Sequence, residues 1–237
     1  MKPQKGEHAN NNITFLIVVS VFGLLLSIFF VVHPASINDN FPFRNLVAGA
    51  AFSVICISGI LAALFPSSCQ STPKIWKDNK NGDLLEGHET TLRGHHPLCD
   101  NFSAHILSIG NKKFCATCSG LLVGATFVLL GTTLYFFGNL RIGEPFAMVW
   151  VGTAGVTLGL LQSAFPKFSN GLTRFLASIL FVVGTFLLLA SINEATKNIS
   201  IDVFFIAVSL LWILTKIALS QRDHQKICSL CTKKCCI

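Results

Sequence analysis

Six apolar runs of 17 to 20 residues constrain the fold of this 237-residue chain more than any other feature. A helix of about 20 apolar residues crosses a hydrocarbon core about 30 Å thick with all its backbone hydrogen bonds made internally. None of the runs contains Asp or Glu. The sequence therefore predicts an all-α fold, a polytopic transmembrane helix bundle of about six spans: Ile13–Val32, Leu46–Phe65, Gly120–Phe137, Phe146–Phe165, Phe175–Ile192 and Val203–Leu219.

Basic residues are distributed unevenly over the connections between these spans. Fifteen of the 18 Lys and Arg residues fall on the side of the two termini, and the three on the other side are Arg44, Arg141 and Lys197. Because Lys and Arg are enriched in cytoplasmic loops, we expect a protein of the cell membrane with both termini in the cytoplasm. This asymmetry also accounts for the net charge of +7. It favours the lipid bilayer, and not nucleic acid, as the partner of the basic residues.

The spans divide the chain into four segments. Residues 1–66 form an N-terminal membrane helix pair, 67–119 a cytosolic polar loop, 120–219 a four-helix membrane half, and 220–237 a Cys-rich basic cytosolic tail. The short outer connections predict that sequential helices are antiparallel neighbours.

Two local features bear on how the bundle packs. Lys216 lies near the end of the last run, so we expect its ammonium group to extend to the headgroup region. Gly120 and Gly124 have the spacing that lets helices approach closely. We favour contact within the bundle for this pair over a dimer face, and a homo-oligomer stays an open alternative.

The polar loop contains a motif typical of metal sites, His96-x2-Cys99-x15-Cys115-x2-Cys118. Two pairs of imidazole and thiolate donors, separated by a spacer of hairpin length, are what a closed tetrahedral zinc site requires. The predicted cytosolic position supports this interpretation, because disulfides are rare in a reducing compartment. His95 and His105 are alternative donors. Packing of the cysteines as small apolar residues is the competing interpretation.

The spacer between the two donor pairs has the pattern of a β-hairpin. Ala104–Ile109 alternates like a short strand, Gly110-Asn111 can form a turn, and Lys112–Phe114 returns. The hairpin would bring Cys99 back beside Cys115, giving a small zinc-knuckle-like loop.

The types of ligand indicate which metal the site would bind and whether that metal would be structural or catalytic. Thiolate and imidazole donors favour Zn²⁺ first, and an iron–sulfur cluster is the alternative. With four protein ligands the zinc ion has no open position, so its role would be structural. A catalytic zinc would need a water ligand and a base such as Glu89 or Asp100, and the chain has no His-Glu-x-x-His motif. No catalytic residue is predicted, and an enzyme is not favoured.

The C-terminal tail is a second thiol cluster, and a second metal site is one interpretation of it. The tail could also extend the first metal site, or be redox-sensitive or acylated, although Lys234 stands where a prenylation box needs Cys. Cys56 lies inside a span and is expected to be a packed intramembrane thiol. The tail cysteines are Cys228, Cys231, Cys235 and Cys236.

One stretch of the loop carries a resemblance to known sequences. It reads His95-His96-Pro97-Leu98-Cys99, Phe102, His105, Gly110, and Phe114-Cys115-Ala116-Thr117-Cys118-Ser119-Gly120-Leu121. It resembles a family of uncharacterised prokaryotic membrane proteins, best represented in archaea, in which a Cys-x2-Cys-x-Gly motif opens a membrane helix. The resemblance implies a shared cytosolic motif on a polytopic fold. It implies no reaction, and the cysteine-rich tail lies outside it.

Three functions follow as expectations. The leading one is a non-enzymatic membrane protein whose zinc-ordered loop docks a cytosolic or membrane protein partner, or regulates the helix bundle. The second is a membrane redox or metalloenzyme subunit with an iron–sulfur or thiol centre. The third is a small-solute transporter that uses polar groups such as Gln162. Coupling of transport to protons or sodium ions is not favoured, because it usually needs ionisable residues in the membrane interior. Glu194 and Asp202 lie instead at the outer boundary of the spans.

Overall fold

The computed structural model describes residues 4–34, 41–64, 92–93, 105–109, 112–138, 140, 142–165 and 170–230. Within these ranges six helices are long and apolar enough to cross a membrane, which confirms the all-α class and indicates a multi-pass membrane protein. Helix α3 continues into a π-helical turn, Thr133–Phe137. The helices are α1 (Gln4–Val32), α2 (Arg44–Leu64), α3 (Ala116–Thr132), α4 (Pro145–Ala164), α5 (Gly171–Thr196) and α6 (Ile199–Leu230).

A small sheet precedes α3. Strands β2 (Ile106–Ile109) and β3 (Lys112–Cys115) pair antiparallel, which confirms the predicted hairpin. The predicted turn at 110–111 lies outside the described residues. Strand β1 (Leu92–Arg93) adds to β3 in parallel, so the order is β1-β3-β2. The sequence did not predict β1, because two residues carry no readable alternation.

Helix α5 lies at the centre of the bundle and packs against α3 and α4. Glycines permit this close approach. A Cβ atom on Gly155 would lie 2.6 Å from the Leu180 carbonyl oxygen and 3.1 Å from Gly184 Cα. Gly120 and Gly124 likewise face α5, at Phe175 and Ile179. The favoured interpretation of the glycine pair, contact within the bundle, is confirmed.

Helix α1 lies against α6 and runs antiparallel to it. The Ser20 and Thr215 hydroxyls are 2.8 Å apart, and Trp212 Nε1 donates to the Ser20 carbonyl at 3.1 Å. In the described part of the chain, α1–α2 and α3–α4 are not principal packing pairs. The prediction that sequential helices are always neighbours is therefore wrong for these two connections. A short loop limits the distance between helix ends, whereas complementary side chains decide which faces meet.

The two ends of the bundle are formed by different elements. The hairpin end holds β2, β3, the start of α5 and the last third of α6. The distal end holds the starts of α2, α4 and α6 and the end of α5.

Helix α6 extends to Leu230, so residues 220–230 continue the last span as a helix. Large apolar side chains such as Phe15 and Phe127 are exposed on the flank of the bundle, where lipid would cover them.

Candidate functional site

The candidate metal centre begins where the hairpin becomes a helix. Cys115 is the last residue of β3 and the N-cap of α3, and Cys118 lies in the first turn of that helix. A spacing of three residues puts the two on the same side of the turn. Cys115 is buried and Cys118 is half-buried. Because Ile106 pairs with Cys115, the start of β2 lies next to the start of α3.

The remaining candidate ligands lie outside the described residues. These are His95, His96 and Cys99 of the loop, together with Cys231, Cys235, Cys236 and the side chain of Cys228 in the tail. In the part of the chain that the structure describes, no three His, Cys, Asp or Glu side chains are grouped so as to hold a metal ion. Cys115 and Cys118 are thus the two members of the loop array that the structure places.

His105, the alternative ligand, contacts charged side chains of the bundle. Arg174 Nη1 is 3.1 Å from His105 Nδ1 and 3.1 Å from Asp223 Oδ2. A guanidinium can only donate, so Nδ1 accepts and the ring proton is on Nε2, which lies 3.3 Å from Asp223 Oδ2. Both ring nitrogens therefore face this cluster. A metal ion at His105 would have to replace one of these contacts.

These three side chains, His105, Arg174 and Asp223, form what we call the hairpin clamp. It joins the residue that precedes β2 to α5 and α6, and all three residues are buried, with 3%, 5% and 8% of their surface exposed. The backbone adds to the contact, because a Cβ on Gly171 would collide with the Ile106 carbonyl oxygen. The contacts of His105 with Arg174 and Asp223 form when the hairpin lies against α5 and α6, so they fix where the hairpin docks.

Lys216 also lies inside the bundle near the hairpin end. It is only 4% exposed, and its Nζ donates to the Gly159 carbonyl at 3.1 Å. The same Nζ lies 4.9 Å from the centroid of the Phe181 ring. The expectation that its ammonium group extends to the headgroups is therefore wrong. Helices α4 and α5 cover this face of α6, and they supply a carbonyl and an aromatic face in place of water.

A second polar cluster lies at the distal end, and we call it the distal network. Asn193 Nδ2 donates to Asp202 Oδ2 at 2.9 Å, and Arg44 Nη1 donates to the Asn193 carbonyl at 3.2 Å. Arg44 Nε lies 3.9 Å from Asp202 Oδ2. Asp202 has no exposed surface, and its Oδ1 has no hydrogen-bond partner among the described residues. Asp202 lies in the first turn of α6, near the end of the span as the sequence predicted, and it is buried.

The π-helical turn of α3 brings an aromatic hydroxyl to the same end. Tyr135 Oη is 3.1 Å from the Ala190 carbonyl and 3.3 Å from Asn193 Oδ1. Such turns often occur at functional sites, because they re-aim one side chain within a helix. Tyr135 also lines a cavity of about 300 Å³ between α3, α4 and α5.

Sequence reasoning missed the hairpin clamp and the distal network. In the sequence, Arg44 and Arg174 were counted only as basic residues of the loops. A hydropathy profile does not predict which charged residues, far apart in the chain, contact each other. One signal was present: Arg44, Arg174 and Asp202 adjoin the ends of apolar runs. A charge in that position costs free energy unless an opposite charge or a hydrogen-bond partner meets it.

No family model, curated protein or solved structure matches the chain. A function must therefore be inferred from the structure itself. Three features bear on it: two thiols at the base of the hairpin, an ion cluster that connects this hairpin to two helices, and a polar cavity at the distal end.

Proposed function

We propose that this is a non-enzymatic multi-pass membrane protein whose cytosolic loop, residues 67–119, is ordered by zinc and acts on the helix bundle or docks a protein partner. The hairpin clamp is the observation that supports it best. Through this clamp, any change in the order of the hairpin alters contacts made by α5 and α6. A loop without such a connection could bind metal without consequence for the bundle.

The zinc ion would be held by His96, Cys99, Cys115 and Cys118. The placement of Cys115 and Cys118 fits this role, since both lie at a strand-to-helix junction next to the start of β2. Such a junction gives two donors a defined spacing before metal binds. When bound, the ion would supply binding free energy that orders the loop. The clamp engages His105, so we assign that residue to docking and not to the metal.

The cell membrane is the proposed location, with the hairpin end facing the cytoplasm. The support is the distribution of basic residues, because fifteen of 18 belong to that side. A reducing compartment also keeps Cys115 and Cys118 from forming disulfides. An iron–sulfur or thiol centre in a redox subunit uses the same residues and is distinguished by the metal that the protein contains.

Hydrogen exchange on the full-length protein in detergent tests the coupling. We expect removal of zinc with a chelator to raise amide exchange in β2, β3 and the first turns of α3 and α5. Exchange at the distal end, around Asn193, should not change. A Cys115→Ser/Cys118→Ser variant should show the raised exchange without chelator, and Cys56→Ala, a thiol change in α2, should not. Faster exchange confined to the loop, with α5 unaffected, would contradict the coupling and leave the metal site standing.

A further inference from the structure

The cavity at the distal end is separate from the loop and its candidate metal site. It lies where α3 ends, α4 begins and α5 ends, and Tyr135 forms part of its wall. Its volume of about 300 Å³ is at the lower end of the range for small-molecule sites. Cavities of this kind usually combine an apolar surface with a few polar groups that fix the orientation of a ligand.

The described wall has both components. Its residues include the charged Glu144, Glu194 and Lys197 and the apolar Ile142 and Met148. Glu194 is half-buried, and Glu144 and Lys197 are exposed. The two carboxylates lie on different elements, since Glu144 precedes α4 and Glu194 belongs to the last turns of α5. Two negative groups and one positive group are complementary to a solute with two cationic groups and one carboxylate.

We propose that this distal cavity binds a basic amino acid, with its two cationic groups at Glu144 and Glu194 and its carboxylate at Lys197. The aliphatic part of such a solute would lie against Ile142 and Met148. Hydrogen bonds in which both partners are charged are about twice as strong as neutral ones, so this pattern of charges discriminates among solutes of similar size.

The backbone of Lys197 has a conformation that is uncommon for a residue other than glycine. Lys197 follows α5 with φ 49° and ψ 35°, in the left-handed region. Glycine is the usual residue where a helix ends in this conformation, because a Cβ atom costs about 1 kcal/mol there. A strained residue at a cavity wall is typical of a functional position.

A chain of hydrogen bonds connects the cavity to a buried carboxylate. Tyr135 in the wall is 3.3 Å from Asn193 Oδ1, and Asn193 Nδ2 donates to Asp202 Oδ2 at 2.9 Å. Asp202 is completely buried, and in the described ranges its Oδ1 accepts no hydrogen bond. Arg44 Nε lies 3.9 Å from the same Asp202 Oδ2, so the chain of hydrogen bonds ends at a pair of opposite charges. The cavity wall and the distal network are therefore joined through Tyr135 and Asn193.

Binding of L-lysine to the full-length protein in detergent, measured by isothermal titration calorimetry, tests the proposal. Two analogues of similar size separate the contacts: cadaverine lacks the carboxylate, and norleucine lacks the side-chain amine. We expect lysine to bind more tightly than either analogue by about tenfold or more. Cadaverine or norleucine binding as tightly as lysine would overturn the assignment, as would lysine binding weaker than about 10 mM.

Three variants locate the site. Glu194→Gln should weaken lysine binding by about tenfold or more, because it removes a charged partner. Lys197→Gly should weaken binding to a similar extent while the thermal unfolding midpoint stays the same or rises, since glycine relieves the left-handed backbone. Glu7→Gln removes the same charge from the start of α1, at the other end of the bundle, and should leave binding unchanged.

The outcomes of these variants are independent of the loop. If Glu194→Gln and Lys197→Gly bind lysine as the unmodified protein does, the cavity is not its site and the proposal is overturned. Loss of binding in Glu7→Gln would overturn it as well. The proposed zinc site at the hairpin end would be unaffected by any of these results.

Discussion

His105 Nε2 and Asp223 Oδ2 lie 3.3 Å apart, so the polar loop and the last helix share one ion cluster. His105 directly precedes β2, Asp223 lies in α6, and Arg174 of α5 contacts both. Because α5 is the most buried span, this cluster connects the loop to the centre of the bundle. A structural metal site beside it would therefore act on the positions of helices as well as on the loop.

Replacement of Arg174 tests the hairpin clamp. Arg174→Met leaves the Asp223 carboxylate buried without its cation, and we expect a loss of about 3 kcal/mol in the free energy of unfolding. The Arg174→Met/Asp223→Leu double variant should recover much of this loss, because no charge is left uncompensated. Equilibrium unfolding in detergent mixtures with increasing dodecyl sulfate measures both. Arg222→Gln, at an exposed position next to Asp223, is the control and should have little effect.

The distal network should respond in the same way. Arg44→Met removes the cation 3.9 Å from Asp202 and the hydrogen bond to the Asn193 carbonyl. We expect a loss of about 3 kcal/mol, measured by the same unfolding titration. Adding Asp202→Asn should restore part of the stability, since an amide is less costly to bury than an unpaired carboxylate. Equal stability of the Arg44→Met variant and the double variant would contradict the expected cost of burying Asp202 without its cation.

Lys216 is predicted to be dispensable for stability. Its Nζ donates to the Gly159 carbonyl at 3.1 Å and lies 3.5 Å from Ser163 Oγ. The Gly159 carbonyl also accepts a hydrogen bond from Ser163 Oγ at 3.1 Å, so Lys216→Met leaves no orphaned acceptor. We expect Lys216→Met to unfold within about 1 kcal/mol of the unmodified protein. Lys216→Glu should lose about 3 kcal/mol or more, because it buries a carboxylate against a carbonyl oxygen. A severe loss in Lys216→Met would mean that the ammonium group has a partner beyond the bundle contacts described above.

Close packing of α4 on α5 is tested by a pair of glycine substitutions. In Gly155→Ala the new methyl would lie 2.6 Å from the Leu180 carbonyl oxygen, so the helices must separate. We expect a loss of about 1–3 kcal/mol in the unfolding titration. Gly59→Ala is the matched control, because nothing lies within 4 Å of its Cβ. That variant should be as stable as the unmodified protein or gain up to about 1 kcal/mol.

The sequence predicted the elements of this fold better than their arrangement. Each apolar run became a helix, because hydropathy over a span is a local property. The hairpin at Ile106–Cys115 was likewise readable from local alternation. The contacts of α1 with α6 and the burial of Lys216 were not readable, because they depend on which helix faces meet. The pairing of Arg174 with Asp223 depends on the same information, which one sequence does not contain.

The candidate metal site shows the same division. Residue types and spacing predicted His96, Cys99, Cys115 and Cys118 as ligands, and the structure places Cys115 and Cys118 at a strand-to-helix junction. The sequence did not show that His105 faces Arg174 and Asp223, since its partners come from two other helices. The roles of His96 and Cys99, and of the tail cysteines, stay predictions.

The metal content of the detergent-purified, full-length protein tests the central claim most directly. Elemental analysis should find about one zinc ion per chain, as a closed four-ligand site requires, and none in the Cys115→Ser/Cys118→Ser variant. Cys56→Ala should keep its zinc. Iron with acid-labile sulfide would contradict the zinc site and favour the redox alternative. Absence of metal from the unmodified protein would contradict the account, and Cys115 and Cys118 would then be packing or redox thiols.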